Sequence, residues 1–338
     1  MAARIAINGF GRIGRGVARL ILSSPASDVE LVAINDLADA DALAYLLEFD
    51  SVHGRLRAPI RVEDGHLRVG ERRIRVLAEQ DPASLPWAAL GIDVVLECTG
   101  RFRTRASASR HVAAGARRVI VSAPPEDSVD GVFCVGLNDG LYDPARHVVV
   151  SNASCTTNCV APVLKVLDDA LGVRKAHMLT VHSYTNDQAI VDQPHHSDYR
   201  RGRAAAESMV PTSSGVSKAL FSVLPQLRGK FAASSIRVPT PDVSIVCLTA
   251  NVGRGTTVEE LNGLFRTAAD GPLRGILGVE TRPLVSADYL GDTRSAIVDT
   301  NLTDVVDGDL VEVHAWYDNE WGYSARMVDL VRILAKGG

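Results

Sequence analysis

The sequence predicts an α/β protein with two domains, a doubly wound, mostly parallel sheet followed by an α+β domain with a mainly antiparallel sheet. The chain has 338 residues, which is too long for one typical domain and sufficient for two. Short β-branched runs alternate with helical patterns in the first part of the chain, as in parallel α/β folds. After about residue 152 the strand candidates become longer, which is typical of an antiparallel sheet with helices on one side.

The first domain is predicted from short apolar runs separated by helical patterns. Strands are expected at residues 4–8, 30–35, 93–97, 118–121 and 147–150, and helices at 14–22 and 105–114. Buried strands that alternate with helices are typical of a parallel sheet covered on both faces. Residues 55–76 differ, because Asp64-Gly65 between two strand-like runs predicts an antiparallel hairpin.

The second domain begins with a predicted helix at 155–171. Further strands are expected at 176–182, 234–238, 243–250 and 311–317, and further helices at 213–224, 257–269 and 324–335. We therefore expect a first domain of residues 1–152, completed by the C-terminal helix 320–338, and a second domain of residues 153–319.

Composition excludes several classes of protein. The net charge of -4 argues against nucleic-acid binding, because proteins that bind the phosphate backbone normally carry a positive excess. The longest charge-free stretch, residues 148–164, is interrupted by polar residues and proline, so no membrane helix is expected. The N-terminus lacks the pattern of a signal peptide. Five dispersed cysteines do not form a disulfide framework, so a cytoplasmic location is expected.

A glycine-rich motif follows the first predicted strand. It fits G-x-G-x-x-G and consists of Gly9, Phe10, Gly11, Arg12, Ile13 and Gly14. A strand precedes the motif, a helix follows it, and Asp36 lies 22 residues after Gly14. Gly9 permits the tight turn, Gly11 admits a diphosphate and Gly14 allows close packing of helix on strand. The pattern predicts a Rossmann-type dinucleotide-binding domain whose helix N-terminus receives the diphosphate.

Asp36 determines the expected choice of cofactor. Its carboxylate would accept hydrogen bonds from ribose hydroxyls and repel a 2′-phosphate, so NAD is predicted rather than NADP. The alternative is an ordinary turn residue at a strand end. Arg12 could add positive charge beside the diphosphate, and the alternative there is a surface arginine.

Cys155 is the candidate nucleophile, because it begins a predicted helix within the polar segment 151–159. Lowering a thiol pKa by about two units requires roughly 2.7 kcal/mol. A helix N-terminus supplies only about 0.3–1 kcal/mol, and at most about 2. A histidine partner is therefore expected to help hold Cys155 as a thiolate. The other cysteines lie in apolar runs that predict packing roles, and no zinc-ligand spacing is present, so no metal site is expected.

His182 is the candidate base, because it ends a predicted strand and opens a polar loop. His177 inside that strand is expected to be packed, and His195 and His196 lie in a basic loop. Arg237 is a cation within a strand-like run and needs an anionic partner if it is buried.

Five segments together resemble the glyceraldehyde-3-phosphate dehydrogenase family, over essentially the full chain. They are residues 8–15, 151–159, 182–188, 237–241 and 316–320. The resemblance implies oxidation of glyceraldehyde 3-phosphate to 1,3-bisphosphoglycerate with NAD and inorganic phosphate, through a hemithioacetal and a thioester on Cys155. It also implies a cytoplasmic homotetramer that acts in glycolysis and gluconeogenesis.

The resemblance also implies roles for single residues. Thr185, Arg201 and Arg237 fall where the family binds the substrate or phosphate anions. The inorganic-phosphate subsite would comprise Ser154, Thr156, Ser214 and Gly215. On the cofactor side, Asn319 would hold the nicotinamide amide, with Tyr323 near the ring and Thr99 and Ser122 close by. Ser214 replaces a usual threonine but keeps the hydroxyl, and Glu126 stands where lysine is common.

Three alternatives remain open from the sequence. Erythrose-4-phosphate dehydrogenase is a sister family with the same fold and thiol. A noncatalytic NAD-binding protein would have kept the fold, although the presence of Cys155 and His182 argues against it. A cysteine hydrolase would have no use for a dinucleotide site.

Overall fold

The computed structural model describes residues 2–24 and 28–336. It divides into two compact units, Met1–Ala153 with Ser324–Gly338, and Ser154–Tyr323. One unit contains a parallel-rich sheet and the other a mostly antiparallel sheet, which confirms the predicted fold class. Within the described residues, no helix is both long enough and apolar enough to cross a lipid bilayer.

The first unit alternates strands and helices. Its strands are β1 (Ala3–Asn8), β2 (Val29–Asn35), β3 (Phe49–Asp50), β4 (Gly54–Arg55), β5 (Ile60–Glu63), β6 (His66–Val69), β7 (Arg72–Leu77), β8 (Val94–Glu97), β9 (Arg118–Val121), β10 (Gly131–Val132) and β11 (Val149–Ser151). Its helices are α1 (Arg12–Leu22), α2 (Ala40–Glu48), α3 (Trp87–Leu90) and α4 (Arg105–Ala113). Helix α8 (Trp321–Lys336) contributes its part from Ser324 onward.

Nine strands of this unit form one sheet in the order β10-β11-β9-β8-β1-β2-β7-β6-β5. Strands β10 to β7 run parallel, and β7, β6 and β5 pair antiparallel. The predicted hairpin is present between β5 and β6. Its turn residues Asp64 and Gly65 have φ values of 49° and 70°, as a two-residue type I′ turn requires.

Strand β1 lies at the centre of this sheet, between β2 and β8. Asn8 at the end of β1 is in register with Asn35 of β2 and with Glu97 of β8. Strand residues Ile5, Ala6 and Ile7 are fully buried, so apolar packing on both faces holds the sheet. The carboxyl ends of the three strands therefore bring polar side chains to the edge where α1 begins.

The second unit is built on an eight-stranded sheet. Its strands are β12 (Val173–Ser183), β13 (Val210–Thr212), β14 (Phe231–Val238), β15 (Ser244–Val252), β16 (Leu277–Glu280), β17 (Ala296–Asp299), β18 (Asp304–Val306) and β19 (Leu310–Tyr317). The order is β13-β14-β12-β15-β19-β17-β16, and β18 pairs with β19. The helices are α5 (Cys155–Leu171), α6 (Val216–Val223) and α7 (Val258–Asp270).

Helix α5 carries most of the packing against this sheet. Val160, Val163, Leu164 and Leu167 are fully buried, as the predicted apolar face requires. The helix begins at Cys155 because the Ser154 hydroxyl caps it by accepting a hydrogen bond from the Thr157 amide at 3.0 Å. The predicted bounds of α5 match the structure.

Helix α2 has no counterpart among the predicted elements. Leu43 and Leu47 are buried, whereas Tyr45 and Leu46 between them are exposed, so the apolar residues do not define one helical face. Helix α6 is shorter than predicted because residues 210–212 pair with β14 as β13, and the helix begins only at Val216.

Candidate active site

Three elements of the second unit bring Cys155, His182 and Arg237 together. Cys155 is the first residue of α5, His182 lies at the end of β12, and Arg237 lies near the end of β14. Strands β12 and β14 are parallel, and their register places His182 beside Arg237. The pair predicted from sequence is present, since Cys155 Sγ lies 3.6 Å from His182 Nε2.

Burial disfavours the charged forms of both Cys155 and His182. Burial raises the pKa of the Cys155 thiol, and the charge of Arg237 is the main influence that lowers it. Burial, assisted by the Arg237 charge, lowers the pKa of His182 to about 3. Arg237 is thus the neighbouring cation that favours the thiolate form of Cys155, and the thiolate expected from the sequence stays a prediction.

The contacts of His182 Nδ1 fit two tautomers. Nδ1 lies 2.8 Å from the Ser183 carbonyl, and Arg237 Nη1 lies 2.6 Å from Nδ1 and 3.0 Å from that carbonyl. With its proton on Nδ1, His182 donates to Ser183 and offers the Nε2 lone pair to the thiol. With the proton on Nε2, Arg237 donates to Nδ1 and an N–H points at the sulfur. The first tautomer can take a proton, and the second can stabilise a negative charge.

Tyr317 contacts His182 and Thr156, and the sequence analysis did not identify it as a site residue. Its ring packs edge-on against the His182 ring at 5.9 Å, and burial raises its pKa. Its hydroxyl lies 3.0 Å from the Thr156 hydroxyl and 2.9 Å from that of Thr180. Tyr317 lies within an apolar strand, so apart from the family resemblance of residues 316–320 no sequence pattern indicated a role in the site.

Several residues assigned to the inorganic-phosphate subsite also make contacts within the protein. The Ser154 hydroxyl caps α5, and the Thr156 hydroxyl contacts Tyr317. Gly215 precedes the first residue of α6 without a side-chain cap, and the space where its Cβ would lie is open. Ser214 offers its hydroxyl to the Val216 amide at 3.5 Å, which is a weak contact.

Arg201 and Arg237 share one electrostatic environment. The charge of Arg201 lowers the pKa of Arg237 after the larger effect of burial, and Asp187 raises it. Arg201 is paired with Asp187 and lies 3.4 Å from Asp198. The two carboxylates beside Arg201 offset part of the positive charge that it adds to this part of the second unit. Thr185 lies two residues beyond β12, where its amide donates to Gln188 Oε1 at 3.3 Å.

Asn319 is held in one orientation by two serines that sequence reasoning did not identify as its partners. Its Oδ1 accepts hydrogen bonds from the Ser183 hydroxyl at 3.0 Å and the Ser244 hydroxyl at 2.7 Å. Its amide N–H₂ is therefore the group turned away from the serines, as the predicted contact with a carboxamide requires. Tyr323, the third residue of α8, is buried.

In the first unit, the glycine motif has the geometry that a diphosphate site needs. Gly9 has a φ of +91°, and a Cβ on Gly14 would collide with the Gly9 carbonyl oxygen. Gly11 precedes α1 as an N-cap without a side chain, and apart from its chain neighbours no atom lies within 4 Å of where its Cβ would be. A helix N-terminus without a side-chain cap beside a glycine loop fits the diphosphate of a dinucleotide.

Asp36 and Arg12 both have partners within the first unit. Asp36 accepts hydrogen bonds from the Phe10 amide at 2.7 Å and the Ala38 amide at 3.1 Å, and a carboxylate retains further acceptor capacity. Arg12 is paired with Asp50, whose pKa is lowered to about 2 by hydrogen bonds from the His53 and Val52 amides and by Arg12, against the effect of burial. Thr99 lies two residues after β8, and its amide donates to the Glu97 carboxylate. Ser122 follows β9 directly, and its amide donates to the Glu97 backbone carbonyl.

A parallel α/β unit with a glycine loop that fits a dinucleotide is the arrangement of an oxidoreductase that uses a nicotinamide cofactor. Two family models match: glyceraldehyde 3-phosphate dehydrogenase, NAD binding domain, at residues 3–105, and the C-terminal domain of the same enzyme at 154–319. The chain belongs to the glyceraldehyde-3-phosphate dehydrogenase family, and it is an NAD-dependent oxidoreductase of that type.

Curated relatives match over the whole length of both chains. Glyceraldehyde-3-phosphate dehydrogenase 1 of Bacillus subtilis (strain 168) is 52% identical over 338 residues, covering 100% of each chain. The glyceraldehyde-3-phosphate dehydrogenases of Geobacillus stearothermophilus and of Priestia megaterium are also 52% identical with the same coverage. The predicted family, type of activity and cofactor are confirmed.

Proposed function

We propose that the protein oxidises glyceraldehyde 3-phosphate to 1,3-bisphosphoglycerate, with Cys155 as nucleophile and His182 as general acid and base. The observation that carries this proposal is the 3.6 Å approach of Cys155 Sγ to His182 Nε2 beside Arg237. The imidazole nitrogen at that distance is within reach of the thiol proton, and the Arg237 charge favours the thiolate that transfer of this proton produces.

The first step joins the sulfur of Cys155 to the aldehyde carbon. The thiol proton passes through His182 to the carbonyl oxygen, which gives a neutral hemithioacetal. His182 then removes the hydroxyl proton while the carbon loses a hydride, and a thioester remains on Cys155. Bound NAD supplies the hydride acceptor. The Cys155 amide and the Nε2–H of His182 would stabilise the oxyanion.

The second half of the reaction releases the product. An oxygen of inorganic phosphate attacks the thioester carbon, the carbon–sulfur bond breaks, and an acyl phosphate leaves. His182 returns its proton to the sulfur, which restores the thiol. The two phosphate groups are expected to bind Arg201, Arg237, Thr185, Ser154, Thr156, Ser214 and Gly215, and the two guanidinium groups supply the positive charge that phosphate requires.

The dinucleotide would bind the first unit through the backbone of residues 9–14 and through Asp36, Thr99 and Ser122, and Asn319 and Tyr323 would meet the nicotinamide. We assign cofactor binding to residues 1–152 with helix 320–338, and catalysis to residues 153–319. A homotetramer in the cytoplasm, active in glycolysis and gluconeogenesis, completes the proposal.

The test is NADH formation from glyceraldehyde 3-phosphate with and without inorganic phosphate, in the wild type and in Cys155→Ser. We expect phosphate-dependent NADH formation in the wild type and a loss of at least 10³-fold in the variant, because a serine hydroxyl is a far weaker nucleophile than a thiol. NAD binding should persist in Cys155→Ser, since Cys155 is not among the residues assigned to the cofactor.

Erythrose 4-phosphate serves as the competing substrate in the same assay. A tenfold higher kcat/KM for erythrose 4-phosphate would overturn the choice of aldehyde. NADH formation that continues in Cys155→Ser would overturn the mechanism, and the absence of activity on both aldehydes would favour a noncatalytic protein.

A further inference from the structure

A buried row of polar side chains crosses the first unit beneath the carboxyl ends of three parallel strands. It comprises Asn35 on β2, Asn8 on β1, Glu97 on β8 and His111 on α4. Glu97 is 1% exposed and His111 is fully buried. A carboxylate buried this deeply is costly unless its hydrogen bonds are made, so its partners are informative.

Glu97 is the acceptor at the centre of this row. Its Oε2 accepts from Asn8 Nδ2 at 2.6 Å and lies 3.1 Å from His111 Nε2. Its Oε1 accepts from the Thr99 amide at 2.8 Å and from the Thr99 hydroxyl. Trp87 Nε1 donates to His111 Nδ1 at 3.0 Å. Because an indole N–H only donates, the proton of a neutral His111 lies on Nε2 and faces Glu97.

The same carboxylate links two turns of the backbone. A Cβ on Gly9 would lie 2.6 Å from the Thr99 nitrogen, so the turns at Gly9 and at Thr99 touch directly. Asn8 immediately precedes Gly9, and the Gly9 amide donates to the Asn35 carbonyl at 2.8 Å. Asn35 Nδ2 also donates to Asn8 Oδ1 at 2.7 Å. The Glu97 carboxylate therefore contacts Asn8, the residue before one turn, and Thr99 in the other turn.

We propose that Glu97 is a positioning residue for the dinucleotide. It does not contact the cofactor but fixes Asn8 and Thr99, and through them the backbone that receives the diphosphate and the adjoining ribose. His111 and Trp87 hold the carboxylate in one orientation. The inference rests on the proposed assignment of these two turns to NAD binding.

Glu97→Gln tests the proposal with the full chain. A glutamine of the same shape turns an N–H₂ group toward Asn8 and His111 or toward Thr99, all of which donate, so at least one turn loses its anchor. We expect the Kd for NAD, measured by titration calorimetry, to rise tenfold or more. The rate at which iodoacetamide alkylates Cys155 without NAD should stay within twofold of the wild type, and kcat at saturating NAD should fall less than threefold.

Leu67→Ala is the matched control for loss of stability alone. Leu67 is fully buried on β6 of the same sheet and has no polar side-chain atom to join the row. Its substitution should lower the melting temperature but leave the Kd for NAD within twofold. An equal rise of Kd in Leu67→Ala, or a folded Glu97→Gln protein that binds NAD within twofold of the wild type, would overturn the proposal.

Glu97→Asp provides a second variant in case the glutamine variant does not fold. Aspartate keeps the charge but is one methylene shorter, so it cannot reach all the partners of Glu97. We therefore expect the Kd for NAD to rise at least threefold. A change within twofold would contradict the proposal. Failure of the wild type to bind NAD would instead refute the assignment of the cofactor site. A failure of the proposed function can therefore be told apart from a failure of the role proposed for Glu97.

Discussion

Arg237 Nη1 donates to the carbonyl of Ser183 and lies 2.6 Å from Nδ1 of His182. A cation in a strand-like run was recognisable in the sequence as a group that needs an anion. Its position next to His182 depends on the parallel register of β12 and β14, which the sequence did not predict. We therefore propose two roles for Arg237, one toward the thiol and one toward a substrate anion.

Arg237→Leu should slow the alkylation of Cys155 by iodoacetamide at pH 7. The guanidinium lowers the thiol pKa against burial, so its removal raises that pKa further and reduces the thiolate fraction. A shift of about one pKa unit reduces the rate about tenfold. The measurement is the second-order alkylation rate of the protein without substrate or NAD.

Arg254→Leu is the control for this experiment. Arg254 is an exposed arginine of the same unit, paired with Glu260 at 2.8 Å. Its loss should leave the alkylation rate unchanged, since exposed ion pairs contribute little. An Arg237→Leu rate equal to that of Arg254→Leu would show that Arg237 does not influence the thiol.

At the level of elements, the loop from β1 to α1 is hydrogen-bonded to the residue that follows β2. The glycine motif predicted the loop, and the structure adds that Asp36 holds it by accepting a hydrogen bond from the Phe10 amide. Arg12 has a partner that could not be anticipated, because Asp50 lies 38 residues away in the chain. Pairing over such a separation is decided by tertiary packing.

Asp36→Ala should shift the choice of cofactor toward NADP. Two unit charges 4 Å apart repel by about 1 kcal/mol in water and about 4 kcal/mol near a protein surface. Removing the carboxylate should therefore raise the ratio of kcat/KM for NADP to that for NAD tenfold or more. NAD binding itself should weaken, because Asp36 also holds the Phe10 amide.

Asp39→Ala is the matched control for this substitution. Asp39 caps α2 by accepting a hydrogen bond from the Ala42 amide at 2.8 Å, so its loss costs about 1 kcal/mol of stability. The cofactor ratio should not change in this variant. A ratio that stays at the wild-type value in Asp36→Ala would refute the role given to its charge.

At the level of the whole molecule, the segment that follows the His182 loop carries apolar side chains on its surface. Ile190 is 85% exposed, Tyr199 is 93% exposed and Met209 is 75% exposed. Apolar groups concentrated in one exposed segment are typical of protein–protein contacts. This segment is therefore our candidate for a contact between copies in the proposed homotetramer.

Tyr199→Asp should weaken that assembly. A charge at a buried contact between copies is costly, so the variant should sediment as species smaller than four times the 36.1 kDa chain. Leu141→Asp alters another exposed apolar residue, 72% exposed, outside this segment and should leave the mass unchanged. Sedimentation velocity measures both, and an unchanged mass for Tyr199→Asp would exclude this segment from the interface.

The sequence by itself determined the fold class, the dinucleotide motif, the cysteine at the start of α5 and the family, because these features depend on local periodicity, glycine spacing and short motifs. Only the tertiary structure decided which groups stand next to one another: Arg237 beside His182, Tyr317 beneath Thr156, two serines on Asn319, and Glu97 between two turns. Those contacts join residues distant in the chain, and they depend on strand register and burial. Burial, which also depends on tertiary packing, raises the pKa of Cys155 and lowers that of His182, so the charge of both groups depends on contacts such as the one with Arg237.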